Sequence, residues 1–369
     1  DAVNSGDACA AGHLALRVVA FLGLRGYQRE RQEILRTALP VVRAKGSDEL
    51  RARLLSALAT ACIQHGRTDA GLTAATEQLD IARRLDQPYW QINARIAAGL
   101  AHRAAGRIHD ATEWFEHAID AARATGQTGQ LARALASRCF VELDKGNHDE
   151  AARSGEQALA TVRNIDNNAQ MLLWIMHLHG RALIRAGRRD EGERLLRQAA
   201  EHSETINFHA MTAYIQLMQA DADILAGRWS AAVERLGAAG EHFQTHGKDE
   251  GIAHVCTARA DIALCRGRPA DAVDPAGQAV SSWRAIGLPL EEARGLARLH
   301  LALQQIGETT AAADCHHRCR TILDRLQLND ASLLLPPALA ELVLADRERA
   351  AAPSTGGHPP TSYRGAPRC

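Results

Sequence analysis

Three aspartates could share a chemistry in this chain: Asp221 and Asp223, two residues apart, and Asp261, forty residues beyond the first. Carboxylates can divide acid and base roles when their surroundings push their proton affinities apart. A second cluster, Cys315-His316-His317-Arg318-Cys319, sets two thiols one helical turn apart beside an imidazole, a spacing that could hold zinc. A third, His177-Leu178-His179, places its imidazoles on different faces of any helix, so they do not share one ion. None of the three comes with a nucleophile elbow, a glycine-rich phosphate loop or an H-E-x-x-H helix. The expectation is a non-catalytic chain with no cofactor and no metal, in which these residues recognise or pack.

Whatever they do, a regular scaffold must position them. A turn glycine recurs at Gly26, Gly66, Gly106, Gly146, Gly187, Gly227, Gly267 and Gly307, in steps of 40, 40, 40, 41, 40, 40 and 40 residues. Around Gly106 the sequence predicts one helix from about Pro88 to Ala105 and a second from about Ile108 to Ala124, with Gly126 and Gly129 in the following loop. Residues 7 to 25 predict the first helix of the first unit. The second helices open with Asp69, Asp110, Asp149-Glu150 and Asp190-Glu191, acids that complement a helix start, and with Pro269, which a first turn tolerates.

Small residues recur in the same phase. Seven before the glycine stand Ala59, Gly99, Cys139, Gly180, Ala220 and Ala260. Five after it stand Gly71, Ala111, Ala151, Gly192, Ala232, Ala272 and Ala312; twelve after it stand Ala38, Ala118, Ala158, Ala199, Ala239, Ala279 and Cys319. Larger side chains there would force the paired helices apart, at about 1–3 kcal/mol each. Cys319 at a packing position favours a buried thiol over a zinc ligand. The end units depart from the rule, with Arg31 and His300 at small positions, as expected where a unit has one neighbour.

This phase of small residues and turn glycine resembles the tetratricopeptide repeat, over about residues 8 to 328. The units are longer than the family's usual ones. The family's aromatic four residues before the turn is replaced by Cys62, His102, Glu142, Leu183, Asp223, Ala263 and Leu303. The long units look like the helical-repeat regions of bacterial signal-responsive regulators, including those that follow a nucleotide-binding switch in actinobacterial, MalT-like transcription regulators. The resemblance implies an all-α, right-handed α-α superhelix of about eight hairpins, with the first helix of each pair lining the concave surface.

On that surface the positions thirteen, ten and six before each glycine share a helix face. The first column reads His13, Arg53, Asn93, Arg133, Trp174, Tyr214, His254 and Arg294; the last reads Ala20, Thr60, Leu100, Phe140, Arg181, Asp221, Asp261 and Leu301. Arginine and aromatic residues, the types that dominate recognition surfaces, concentrate in the middle units. The candidate binding residues are Arg133, Phe140, Trp174, His177, Arg181, Tyr214, Asp221, His254 and Asp261. Asp221 and Asp261, equivalent in adjacent units and opposite Arg181, are expected to form an ion-pair ladder or a site for a basic group. Trp90 and Trp114 are expected in the core between repeats. The expected partner is a protein or peptide segment in the concave groove, bound by an adaptor or by the sensor part of a regulator; a small molecule or short peptide controlling an attached effector is the alternative.

Composition narrows the classes. Lysine plus arginine and aspartate plus glutamate number 43 each over 369 residues, and no basic block appears, which argues against direct nucleic-acid binding. No apolar run is long enough to span a membrane. The eight cysteines show no paired framework, and free thiols suit a cytoplasmic chain. The start carries no signal segment and no initiating methionine, so a segment upstream of Asp1 is expected. Three regions are expected: repeats over residues 1–328, a capping helix region over 329–351, and a disordered tail rich in proline and glycine over 352–369.

Overall fold

The computed structural model describes residues 7–25, 28–163, 165, 168–328, 335 and 339. Among them helices alone follow one another: α1 Ala8–Arg25, α2 Gln28–Lys45, α3 Asp48–Ile63, α4 Thr68–Arg84, α5 Pro88–Ala104, α6 Ile108–Ala124, α7 Thr128–Asp144, α8 His148–Val162, α9 Ala169–Arg185, α10 Arg189–Thr205, α11 His209–Leu225, α12 Trp229–Thr245, α13 Asp249–Cys265, α14 Pro269–Ile286, α15 Pro289–Gln305 and α16 Thr309–Arg325. Each helix packs antiparallel on the next, so the chain is a tetratricopeptide-like helical solenoid of eight hairpins among the described residues. The helices around Gly106 match the expected bounds to within one residue.

The turn glycines work by conformation. Gly66, Gly106, Gly146, Gly187, Gly227, Gly267 and Gly307 all adopt the left-handed region, with φ between 64° and 88°. Each ends its helix in the same way: the amide after the glycine donates to a carbonyl five residues back, as Arg107 does to His102 at 2.9 Å. Gly26 lies outside the described residues. Five of the turns between hairpins, and the end of α16, repeat the device, with left-handed residues at Asp86, Gly126, Asn207, Gly247, Gly287 and Gln327. The forty-residue period is thus two similar halves. Half of the second set are not glycine, which hides them from a search for glycine. The one longer step is absorbed between α8, only 15 residues long, and α9, where the Asn168 amide donates to the carbonyls of Val162 and Ile165.

The small residues stand where the helices of a pair cross. Ala59, Cys139, Ala220 and Ala260 before the turns, and Ala111, Ala151, Ala232 and Ala272 after them, are all wholly inaccessible to solvent. A Cβ on Gly99 would come within 2.5 Å of the Phe115 ring, and one on Gly192 within 2.7 Å of the Gly180 carbonyl oxygen. Close approach at these points brings Phe115, Ile119, Leu173, Leu196 and Phe243 into one apolar cluster that runs from Ile92 to Leu290. Smaller clusters continue it at both ends. A fully buried Phe or Leu contributes about 1.5–3 kcal/mol, so stability is spread along the stack.

Cys319 and Cys315 belong to the last cluster, and Cys319 donates weakly to the Ala293 carbonyl. Trp114 packs partly buried on the first cluster and stacks over His102, while Trp90 meets Tyr89 edge to face at 4.9 Å. The expected capping helix and tail lie outside the described residues, except Leu335 and Leu339, which pack on an apolar cluster of α13 to α15. No described helix is long and apolar enough to cross a membrane.

Candidate functional site

The inner wall is made by the odd-numbered helices. They touch one another from hairpin to hairpin, α3 on α5, α5 on α7, α7 on α9 and so on, whereas the even-numbered helices make no comparable contact among themselves. The odd helices are therefore on the inside of the curve, as the phase of the repeat implies. The curve is tight enough to close. A Cβ on Gly66 would run into the Ile286 carbonyl, and one on Gly106 would come within 2.6 Å of the Leu326 side chain. Both pairs lie about 220 residues apart, or five and a half repeats, so the solenoid completes a turn and its early hairpins meet its late ones.

Among the described residues one ion pair crosses the resulting lumen, and others line its wall. Asp144 of α7 accepts from Arg294 of α15 at 3.1 Å and pairs with Arg103 of α5 at 2.6 Å. Arg294 also holds Glu291 at 2.6 Å. Burial alone would raise the Glu291 carboxyl, but Arg294, His254 and Arg181 overcome it and hold it down at about 2. Next along the wall, Arg298 binds Asp261 through both nitrogens of its fork, at 2.6 and 3.1 Å, with both side chains buried. The Asp261 carboxyl is nevertheless raised, because desolvation outweighs that partner. Asp221 takes Arg185 at 3.1 Å. The carboxylates at Asp221 and Asp261 thus meet Arg185 and Arg298, and the expected partner Arg181 pairs with neither.

Arg181 and His177 face the lumen from α9, one helical turn apart, and the Arg181 Nε and both ring nitrogens of His177 are buried without a hydrogen bond among the described residues. Burial, then Arg181 and His254, push the His177 imidazole down to about 3. Its ring meets Tyr214 edge to face at 6.4 Å, and Tyr214 tilts against the buried Phe243 at 5.0 Å. His254 stands edge to face on Trp283 at 4.7 Å, its proton affinity lowered by burial. Trp174 lies partly buried against the core. Phe140 carries the Arg103 guanidinium 3.3 Å above its ring, a cation–π contact that ties it to the same network. The Arg133 side chain sits apart and donates to Gln130 at 3.3 Å. A cavity of about 600 Å³ opens at the mouth of the lumen, between Gln64 and His65 of the second hairpin and Tyr214, Lys248, Glu250, Ser281 and Ser282 of the later ones.

The structure therefore gathers His177, Arg181, Tyr214, Asp221, His254 and Asp261 along one wall, with Phe140 reached through Arg103. Asp223 is elsewhere: it is buried inside its own hairpin, where Arg228 and Arg235 donate to it at 2.7 and 2.9 Å. Glu142, at the equivalent position, is bound by Lys145 and Asn147 in the same manner. The aromatic expected there is replaced by a carboxylate that clamps the turn. His179 turns away from His177 and fits against Gly155 of α8, where a Cβ would come within 2.6 Å of its Nδ1.

Sequence reasoning passed over Arg103, Asp144, Arg185, Glu291, Arg294 and Arg298 as site residues. Their signal was present. Arg294 stood in the column thirteen before the glycine; Arg298, nine before it, lies within the same face, and Glu291, Arg103, Asp144 and Arg185, sixteen, three, two and two before theirs, extend that face by a turn at each end.

No family model matches the chain, and no curated protein matches it. Solved structures of the same fold do. A Rap protein complexed with competence and sporulation factor aligns with a TM-score of 0.61 and 12% identity, covering 86% of this chain and 98% of that one. The Rap conjugation gene regulator of the plasmid pLS20, in complex with the Phr* peptide, gives 0.64 and 13%, covering 78% and 77%. NprR in complex with its cognate peptide NprX gives 0.61 and 13%, covering 86% and 88%. At such identity the likeness is one of fold, and it places this chain among the tetratricopeptide-like helical solenoids.

Proposed function

We propose that the chain is a non-catalytic binding module that takes a short extended peptide into the lumen of its solenoid and serves as the sensing part of a bacterial regulator. The observation that carries this is the pair Arg294–Asp144, which joins α15 to α7 across the lumen. A passage bridged by one ion pair has no room for a folded partner, but it admits an extended chain. Tyr214 and Trp174 supply apolar area, and the charged wall supplies orientation. Each wall aspartate has its own arginine, so none is left as a free general base. Peptides are bound in the structures of the Rap conjugation gene regulator and of NprR, which share the fold, and the resemblance of the long repeats to signal-responsive regulators supports an attached effector and a cytoplasmic setting.

Binding would exchange ion pairs across the lumen for contacts with the peptide and shift the pitch of many repeat interfaces by small amounts. Changing Trp174 and Arg181 together to alanine is expected to abolish retention of short peptides from a synthetic pool while far-ultraviolet dichroism stays unchanged. Undiminished retention by the double variant moves the site elsewhere. A large thermal shift with small metabolites, and none with peptides, points instead to a small-molecule receptor using the 600 Å³ cavity.

A further inference from the structure

In the ion-pair network of the lumen wall, among the described residues, arginines outnumber carboxylates by one. Five arginines, Arg103, Arg181, Arg185, Arg294 and Arg298, share it with four carboxylates, Asp144, Asp221, Asp261 and Glu291. Each carboxylate is engaged by another arginine, and Arg181 alone of the five has no ion pair among the described residues. Its charge is felt by its neighbours: Asp221 and Glu291 lie within electrostatic reach of it. Their oxygens nevertheless face Arg185 and Arg294. One turn earlier on the same face, His177 presents two buried ring nitrogens with no partner. Both side chains are half-buried, and the Arg181 Nε and both His177 ring nitrogens, shut off from water with no hydrogen-bond partner, are costly to the folded chain.

We propose that Arg181 and His177 form a carboxylate-binding subsite, and that the bound peptide is anchored there by a carboxylate group. This rests on the reading of the lumen as a peptide groove. A planar carboxylate matches the fork of a guanidinium with two parallel hydrogen bonds. The neutral His177 ring has one N–H to donate, and a single negative charge completes the wall. The peptide would enter past Tyr214, which meets His177 on one side and lines the mouth of the cavity on the other. The carboxylate can come from the chain terminus or from an acidic side chain; the chemistry recognised is the same.

The test uses three pools of short synthetic peptides with otherwise uncharged side chains: free acids, C-terminal amides, and amides carrying one glutamate. Retention is measured on the immobilised full chain. Free acids, glutamate amides or both are expected to be retained at least tenfold better than the neutral amides, and the pool that gains identifies the source. Arg181→Met is expected to remove this preference while melting no lower than the wild type without peptide. His177→Gln is expected to weaken the preference. Arg185→Met, which breaks an existing pair with Asp221, should lower the melting temperature and keep the preference. Equal retention of all three pools, or a preference that survives Arg181→Met, overturns the carboxylate subsite and leaves the peptide groove standing. Retention of no pool overturns both.

Discussion

At the scale of residues, this molecule spends stability on its interior charges. Desolvating an ion inside a protein costs several kcal/mol, and a partner repays it only with good geometry. Arg298 meets Asp261 with that geometry and still offsets only part of the burial, since the carboxyl stays raised; Arg181 and His177 have no such partner. The cost at His177 can be measured. Its imidazole titrates at about 3 in the folded chain against 6.5 ordinarily, so below 6.5 the unfolded chain binds the extra proton. Stability is whole above that value and falls as the pH drops from 6.5 toward 3, by about 1.4 kcal/mol per unit well inside the window. His177→Gln removes this part of the slope: urea midpoints at pH 7 and pH 5 should lie closer together in the variant than in the wild type. Equal separations would mean that the ring takes up its proton freely. Glu291 acts in a lower range. Its stabilisation is complete above the ordinary value of 4.5 and is lost as the pH falls through about 2.

At the scale of elements, each helix is fixed by how it ends and where it crosses its partner. Two glycines, one in the turn between α9 and α10 and one in the first turn of α10, separate these effects. Gly187 lies in the turn at φ 80° with nothing within 4 Å of where a Cβ would stand, so Gly187→Ala meets only the left-handed backbone penalty, about 1–2 kcal/mol. Gly192 lies at a crossing, with the Gly180 carbonyl oxygen 2.7 Å from the corresponding position. Gly192→Val must push α9 and α10 apart and is expected to cost more, at the upper end of the range of about 1–3 kcal/mol for overpacking. Because a stack need not unfold in one step, amide hydrogen exchange in α9 and α10 is the suitable readout. Equal loss of protection in the two variants would contradict the separation of roles.

At the scale of the whole molecule, the closed turn depends on few contacts between distant hairpins. Arg294 is central to them, bonded at once to Glu291 and to Asp144 across the lumen, and these two anions together hold its guanidinium above its ordinary value despite burial. Arg294→Glu would place a third carboxylate between them. The early and late hairpins should then separate, with a larger radius of gyration by small-angle scattering at low salt and unchanged helix content. An unchanged radius would show that the turns at Gly66 and Gly106 hold the ring without the ion pair. The same variant should weaken peptide retention, because it widens the passage that selects an extended chain.

Much of this was legible in the residues. The period and phase of glycine and alanine determined the hairpins, their crossing points and the inner face, because turn conformation and helix contact are local constraints that leave a mark in every unit. The wall positions at Trp174, His177, Arg181, Tyr214, Asp221, His254 and Asp261 followed from the same register. Which charges pair did not follow. Asp221 meets Arg185, Asp261 meets Arg298, and Asp144 meets Arg294. These choices depend on superhelical pitch, which accumulates from small rotations at each interface. A sequence periodic in forty residues specifies the rotation too loosely to say that hairpins about 220 residues apart will touch. Only the tertiary structure decided that the solenoid closes, and closing it turned an open surface into a lumen in which Arg181 has carboxylates within reach but no ion pair among the described residues.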